Sequence, residues 1–128
     1  EQGGVVYGAY LDGKHDLYSA LIMLLSGGIC GFDIKNGFRI FRRDRCKHAS
    51  PNSAQTESVM AGLLNLRLAG DAYYHGVLHK KEFIGDPLRE IETEDIKRAN
   101  VIMFVSALLS LVIFGGLRLL VLYLIHAL

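Results

Sequence analysis

The chain has 128 residues, which is enough for one domain and too few for two. It is 51% hydrophobic and 21% charged, with a mean hydropathy of +0.27, so it is too apolar for a disordered chain and more apolar than an ordinary soluble domain. Fourteen Lys and Arg against thirteen Asp and Glu leave a net charge of +1, which by itself names no partner; no nucleic-acid partner is expected.

Residues 1–16 carry no n-region, apolar stretch and cleavage site of a secretory signal. A start at Glu1 rather than Met is expected of a fragment or a processed piece. Gly8, Gly13 and Lys14 come close to a phosphate-binding loop, but His15 stands where Ser or Thr is needed and no apolar strand precedes Gly8. Residues 17–32 hold no charge and are mostly apolar, with an interruption at Gly27-Gly28. At this length they read as a short span, a re-entrant hairpin or a packed helix. Cys30 lies in this apolar run and Cys46 in a basic one; two cysteines make no disulfide framework, and both read as free thiols of a reducing compartment.

Residues 35–100 are polar and hold 12 of the 14 basic residues, which by the positive-inside rule places them on the cytoplasmic side. Ile34, Phe38 and Phe41 recur at helical spacing with Arg39, Arg42 and Arg43 on other faces, predicting an amphipathic helix on the membrane surface that ends near Lys47. A second helix is expected after Pro51, with Asn52 or Ser53 as its cap, Val59, Leu63 and Leu66 on one face, and Gly70 as its stop. Residues 71–92 read as a loop broken by Gly76, Gly85 and Pro87. Thr93 is the expected cap of the last helix, with Glu94 and Asp95 in its first turn.

The segment from Val101 to Ile125 decides the class. Its 17 Leu, Ile, Val or Phe residues favour membrane insertion by about 5 to 10 kcal/mol, against about 2.5 to 3.5 kcal/mol for the central Arg118. Twenty-five helical residues span roughly 37 Å, more than a hydrocarbon core. Gly115-Gly116 is a candidate kink. The expected fold is therefore all-α: a helical integral membrane protein with a cytoplasmic helix-loop region. Its zones are an N-terminal segment (1–34), the helix-loop region (35–100) and a C-terminal transmembrane helix (101–128).

Several segments suit ligand chemistry. His48, Ser50, Pro51 and Asn52 open a helix beside Arg42, Arg43, Arg45 and Lys47, where free N–H groups and cations suit a phosphate or a carboxylate, but from the residues alone an ordinary cap beside a lipid-headgroup-binding helix is the favoured reading. Tyr73 and Tyr74 can line a flat ligand or anchor at the membrane interface. Asp86, after Gly85, can hold Mg²⁺ together with substrate phosphates, or start a turn with Pro87. His75 and His79 have helical metal-ligand spacing, but Gly76 argues against a helix there.

Taken together, these residues resemble the adenosylcobinamide-phosphate synthase family of cobalamin biosynthesis, the CobD/CbiB membrane proteins. The likeness rests on His48-Ser50-Pro51-Asn52, Glu57, Met60-Ala61-Gly62, Arg67-Leu68-Ala69-Gly70, Tyr73-Tyr74-His75-Gly76 and Ile84-Gly85-Asp86, in the family's order. It runs over roughly residues 15–115 and corresponds to the C-terminal portion of the family. Ala69 stands where the family has the first Gly of a pair, Ala72 where Asn is common, and Glu82 where Pro is common. The resemblance implies a cell-membrane, multi-pass, ATP-dependent amide synthase. Its substrates would be a corrinoid, adenosylcobyric acid, and aminopropanol or its phosphate. It also implies Mg²⁺, contact with membrane lipid, and a missing N-terminal portion or a partner chain that supplies it. On this reading Glu57 and Asp86 are catalytic, Asp86 is also the metal ligand, and His48, Ser50, Asn52, Arg67, Tyr73, Tyr74, Lys81 and Arg89 bind substrate. The alternative is a non-catalytic membrane module whose basic amphipathic helix binds lipid.

Overall fold

The computed structural model describes residues 17–47, 51–80 and 82–128, with the backbone alone at residues 51–53, 72, 74 and 79. The candidate phosphate loop at Gly8–His15 lies outside the described residues. Helix α1 (Leu17–Ile29) buries Ala20, Met23, Leu24 and Ser26, a helical stripe, and leaves Leu21, Leu25 and Ile29 outside. Ala20, Met23 and Leu24 sit in the core, so over its described residues this segment packs as a helix, one of the three alternatives for it. Gly27-Gly28 does not interrupt it. A Cβ on Gly27 would strike the Leu63 side chain, and one on Gly28 would lie 2.7 Å from Cδ1 of Ile34, so the pair permits close packing. The helix stops at Gly31 (φ +86), where Phe32 N–H donates to the Gly27 carbonyl and Gly31 N–H to that of Gly28.

Helix α2 (Ile34–Asp44) starts at Asp33, whose Oδ1 accepts from the Asn36 N–H. Its buried face is Asn36, Gly37, Ile40, Phe41 and Asp44. The expected apolar face is thus corrected: Phe41 points inward, but Ile34 and Phe38 face out, because the side against α3 needs the small Gly37. Helix α3 (Pro51–Leu64) begins with proline, whose missing N–H costs little at a helix start, and Asn52 and Ser53 fall within its bounds rather than before them, where a cap was expected. It ends at Leu64, not Gly70. Asn65 (φ +57) takes the left-handed position, Leu66 N–H donates to the Ala61 carbonyl, and Asn65 N–H donates to that of Gly62. The two helices meet backbone to backbone: a Cβ on Gly62 would lie 2.6 Å from Cα of Gly37 and 2.7 Å from the Asn36 carbonyl oxygen.

The fold is mostly helical, yet the expected loop contains strands, which corrects the all-α reading locally. Strand β1 (Arg67–Ala69) pairs antiparallel with β4 (Phe83–Gly85), with Leu68 opposite Ile84. Between them β2 (Ala72–Tyr74) and β3 (Val77–His79) form a hairpin, closed by His75 (φ +52) and Gly76 (φ +77) as a two-residue type I′ turn. His75 and His79 therefore sit on a hairpin, not at helical spacing. One core cluster joins Met23, Leu24, Phe41, Val59, Leu63, Leu66 and Ile102; a second joins Ile40, Ala54, Ala61 and Ile84; Leu68 packs on both. Residues from all three composition zones thus share one core.

Helix α4 (Glu94–Ala127) has 34 residues, about 51 Å, and is the one helix among the described residues long and apolar enough to cross a membrane. It runs through Gly115-Gly116 without a break. The Thr93 side chain does not cap it; Asp95 reaches back to accept from the Glu92 N–H at 2.8 Å. Ile102 is buried, which contributes about 1.5–3 kcal/mol, and beyond it no residue of α4 is buried.

Ala69 is exposed at φ +62, a conformation costing an L-residue about 1–2 kcal/mol, of which glycine's greater freedom when unfolded returns about half. Ala69→Gly is expected to raise stability by about 0.5–1 kcal/mol in chemical denaturation of the detergent-solubilised chain. A loss of stability would contradict the strain.

Candidate functional site

A network of charged side chains lies where α2 meets β4. Asp44, at the end of α2, has a fully buried side chain. The Arg43 guanidinium grips it with two bonds, Nε to Oδ1 at 2.7 Å and Nη2 to Oδ2 at 2.9 Å. The Gly85 N–H donates to Oδ2 at 2.8 Å, and Lys47 Nζ lies 3.1 Å from Oδ1. Burial works against the charged carboxylate, but Arg43, the Gly85 N–H and Lys47 outweigh it and bring Asp44 down from 3.8 to about 2.

The next residue after Gly85 is Asp86. Arg39 Nη2 donates to it at 2.7 Å and Arg43 Nη1 lies 2.9 Å from its other oxygen. The Arg39 hydrogen bond foremost, and that of Arg43, hold this carboxyl below its ordinary value against partial burial. Arg39 is itself set in place by Asn36, whose Oδ1 accepts from Nε at 3.1 Å and Nη2 at 2.7 Å. Asn36 is anchored in turn, donating to the Gly62 carbonyl and to Asn65 Oδ1, both at 2.9 Å. On the outer side of α2, Lys35, Phe38, Arg39, Arg42 and Arg43 line a concavity of about 450 Å³.

The other residues nominated from the sequence lie elsewhere. Arg89 donates from Nε to the Leu64 carbonyl at 3.0 Å and pairs with buried Asp95, which Arg98 also contacts at 2.9 Å. This network ties the end of α3 to the start of α4. Glu57 is half-buried and lines a groove of about 560 Å³ between α1, α3 and α4, with Met23, Met60, Met103, Ser106 and Ser110. The Arg67 guanidinium covers the Phe83 ring at 4.1 Å, and Tyr73 is exposed on the hairpin. His48, Ser50 and Lys81 lie outside the described residues. Asn52 and Tyr74 fall in α3 and β2, with their side chains outside the description.

Sequence reasoning missed Asp44 and Asn36 as organisers of the basic face. The available signal was one acid inside Arg42-Arg43-Asp44-Arg45, four residues after Ile40 and seven after Gly37, hence on the inward stripe. As for magnesium, among the described residues no three His, Cys, Asp or Glu side chains converge, and the nominated Asp86 engages two guanidinium groups. The described residues do not fit a magnesium site of their own.

A sequence profile for the family described as CobD/Cbib protein matches residues 17–103. Among curated proteins, cobalamin biosynthesis protein CobD of Streptococcus sanguinis (strain SK36) is 43% identical over 94 residues, 73% of this chain and 30% of its own length. The proteins of the same name from Desulfotalea psychrophila and Klebsiella pneumoniae subsp. pneumoniae are 40% and 39% identical, over 73% and 78% of this chain and 28% and 31% of theirs. No solved structure matches it significantly. The chain belongs to the CobD/Cbib family. It spans about three-tenths of the length of the curated relatives it matches.

Because the folded-state value of Asp44 lies below its unfolded one, its stabilisation is complete above about pH 4 and is lost as pH falls toward 2. Asp44→Asn leaves Arg43 and Lys47 without their carboxylate and is expected to cost about 2–3 kcal/mol at neutral pH. Denaturation midpoints measured from pH 7 down to 2 should show the variant's deficit shrinking with acid. Equal deficits at all pH values would contradict the role of the charge.

Proposed function

We propose that the chain is the C-terminal portion of a membrane-bound, ATP-dependent amide synthase of cobalamin biosynthesis. It would join a carboxylate of adenosylcobyric acid to the amine of aminopropanol or its phosphate. The observation that carries this reading is the family match over residues 17–103, together with the name of the relatives, cobalamin biosynthesis protein. A carboxylate is a poor electrophile toward an amine in water, and ATP, when bound, supplies the phosphoryl group that activates it. The part proposed for this chain's residues is binding and proton handling. The four cations around the α2 concavity attract anionic substrate. Glu57 is the proposed acceptor of the amine proton, from a groove beside the apolar helix. His48, Ser50, Asn52, Arg67, Tyr73, Tyr74 and Lys81 remain proposed substrate contacts. Asp86 remains a proposed catalytic carboxylate, and any magnesium would need further ligands from the nucleotide or from the rest of the protein. For Arg89 the geometry supports a joining role between α3 and α4.

The test is amide formation from adenosylcobyric acid and aminopropanol by membranes carrying the chain, with and without the remaining portion of a relative. Product is expected when that portion is present, and Glu57→Gln should lower turnover by about a hundredfold or more. No product in any combination would overturn the reading. One observation favours the second reading, a lipid-binding module: Ile34 and Phe38 face outward on α2 beside Lys35 and Arg42.

The proposed topology places residues 101–125 across the membrane, in a multi-pass protein of the cell membrane, and residues 35–100 in the cytoplasm. Exposed Cys46 reports on it. An impermeant thiol reagent should leave Cys46 unmodified in intact cells and modify it after lysis. Labelling in intact cells would reverse the orientation.

A further inference from the structure

We propose that Arg39 and Arg43 form an oxyanion-exchange site, in which the Asp86 carboxylate is an internal occupant displaced by a phosphate group entering from the basic concavity of α2. That this phosphate belongs to a substrate rests on the activity proposed above; the existence of the site does not.

Both guanidinium groups are set from the inner side by partners that cannot leave. Arg39 is held at Nε and Nη2 by the buried Asn36, and Arg43 at Nε and Nη2 by the fully buried Asp44. The second N–H of Arg39 Nη2 and Arg43 Nη1 are directed outward, and these converge on the two oxygens of Asp86. One preset donor nitrogen from each guanidinium, aimed together at one carboxylate, equally suits a phosphate, which brings more charge and a third oxygen. Preorganisation by Asn36 and Asp44 means that little side-chain freedom remains to be lost when an anion binds.

The two carboxylates differ in their freedom to move. Asp44 is sealed in the core, whereas the Asp86 side chain is 31% exposed and follows the last strand residue, at the start of a turn in which Leu88 N–H donates to its carbonyl. Only Asp86 can swing away without opening the core. Charge also favours exchange. The concavity of about 450 Å³ is lined by Lys35, Arg39, Arg42 and Arg43 with Phe38, and among the described residues no carboxylate lines it. Among the described residues Lys35 and Arg42 have no acidic partner, so the single charge of Asp86 leaves the patch positive. An internal ligand of this kind lowers the apparent affinity for the external one by the fraction of time it occupies the site.

The shared chemistry, a phosphate oxyanion, can come from a soluble phosphate ester or from an anionic lipid headgroup. The test uses the full chain in nanodiscs of neutral lipid, titrated with inorganic phosphate and followed by calorimetry. Saturable binding is expected. Asp86→Asn should tighten it about tenfold, because the competing charge is gone while size is kept, and Arg39→Gln should weaken it about tenfold. Arg42→Gln breaks no ion pair seen among the described residues and should weaken it about threefold with an unchanged melting temperature, which keeps the test decisive if either other variant misfolds. In nanodiscs containing phosphatidic acid, apparent phosphate affinity falls if the headgroup is the occupant and stays the same if a soluble phosphate is; either result supports the site. Absence of saturable binding in both wild type and Asp86→Asn, or binding indifferent to Arg39→Gln and Arg42→Gln, overturns it. Phosphate binding without amide synthesis would remove the proposed activity and leave the site standing.

Discussion

A single buried carboxylate organises the charged face where α2 meets β4. Asp44 is shut off from solvent, and an ionised group in that position is tolerable only with its oxygens fully engaged. Two of its partners, Arg43 and Lys47, come from α2 and the residues just after it, but the third is the backbone N–H of Gly85 on β4. Satisfying Asp44 therefore draws β4 against α2. Strand β1 follows, because it is paired with β4, and Asp86 arrives beside Arg39 and Arg43 as the next residue along the chain. The charged face is a by-product of solving one desolvation problem in the core.

The glycines of the family pattern belong to the same construction. Gly62 lets α3 touch α2 at Gly37, and Gly85 (φ +83) fits against Ala61 and the Leu66 carbonyl, where a Cβ would collide with backbone. Met60-Ala61-Gly62 and Ile84-Gly85-Asp86 lie 22 or more residues apart in sequence, yet Gly85 abuts Ala61 and Ile84 shares a core cluster with it. Part of what makes the pattern recognisable is thus backbone packing, and only its polar members are available for chemistry.

This explains which features were legible in the sequence. Helices α2 and α4 announce themselves through periodicity and apolar length, since those signals are local. The four strands have three residues each, too short for alternation to show, and β1 finds its partner across a hairpin that intervenes in the chain. Asp86 was visible as a motif residue, and the arginines as a basic run. Their pairing was not, because 47 and 43 residues separate Asp86 from Arg39 and Arg43. Thr93 looked like a cap because it has the right side chain, but Asp95 already serves the Glu92 N–H and two arginines, and the threonine hydroxyl has no such task.

The foot of α4 has a geometric consequence of its own. Asp95, gripped by Arg89 and Arg98, and Ile102, seated in the core two turns later, lie on one side of the helix and fix its rotation about its long axis. A rigid rod clamped at one end carries that azimuth along its whole length. The direction in which Leu111, Phe114 and Leu119 point is then set by an ion pair some tens of ångströms away, on the order of the rod's own length at 1.5 Å per residue. Torque applied to the far end would be felt first at Arg89 and the end of α3.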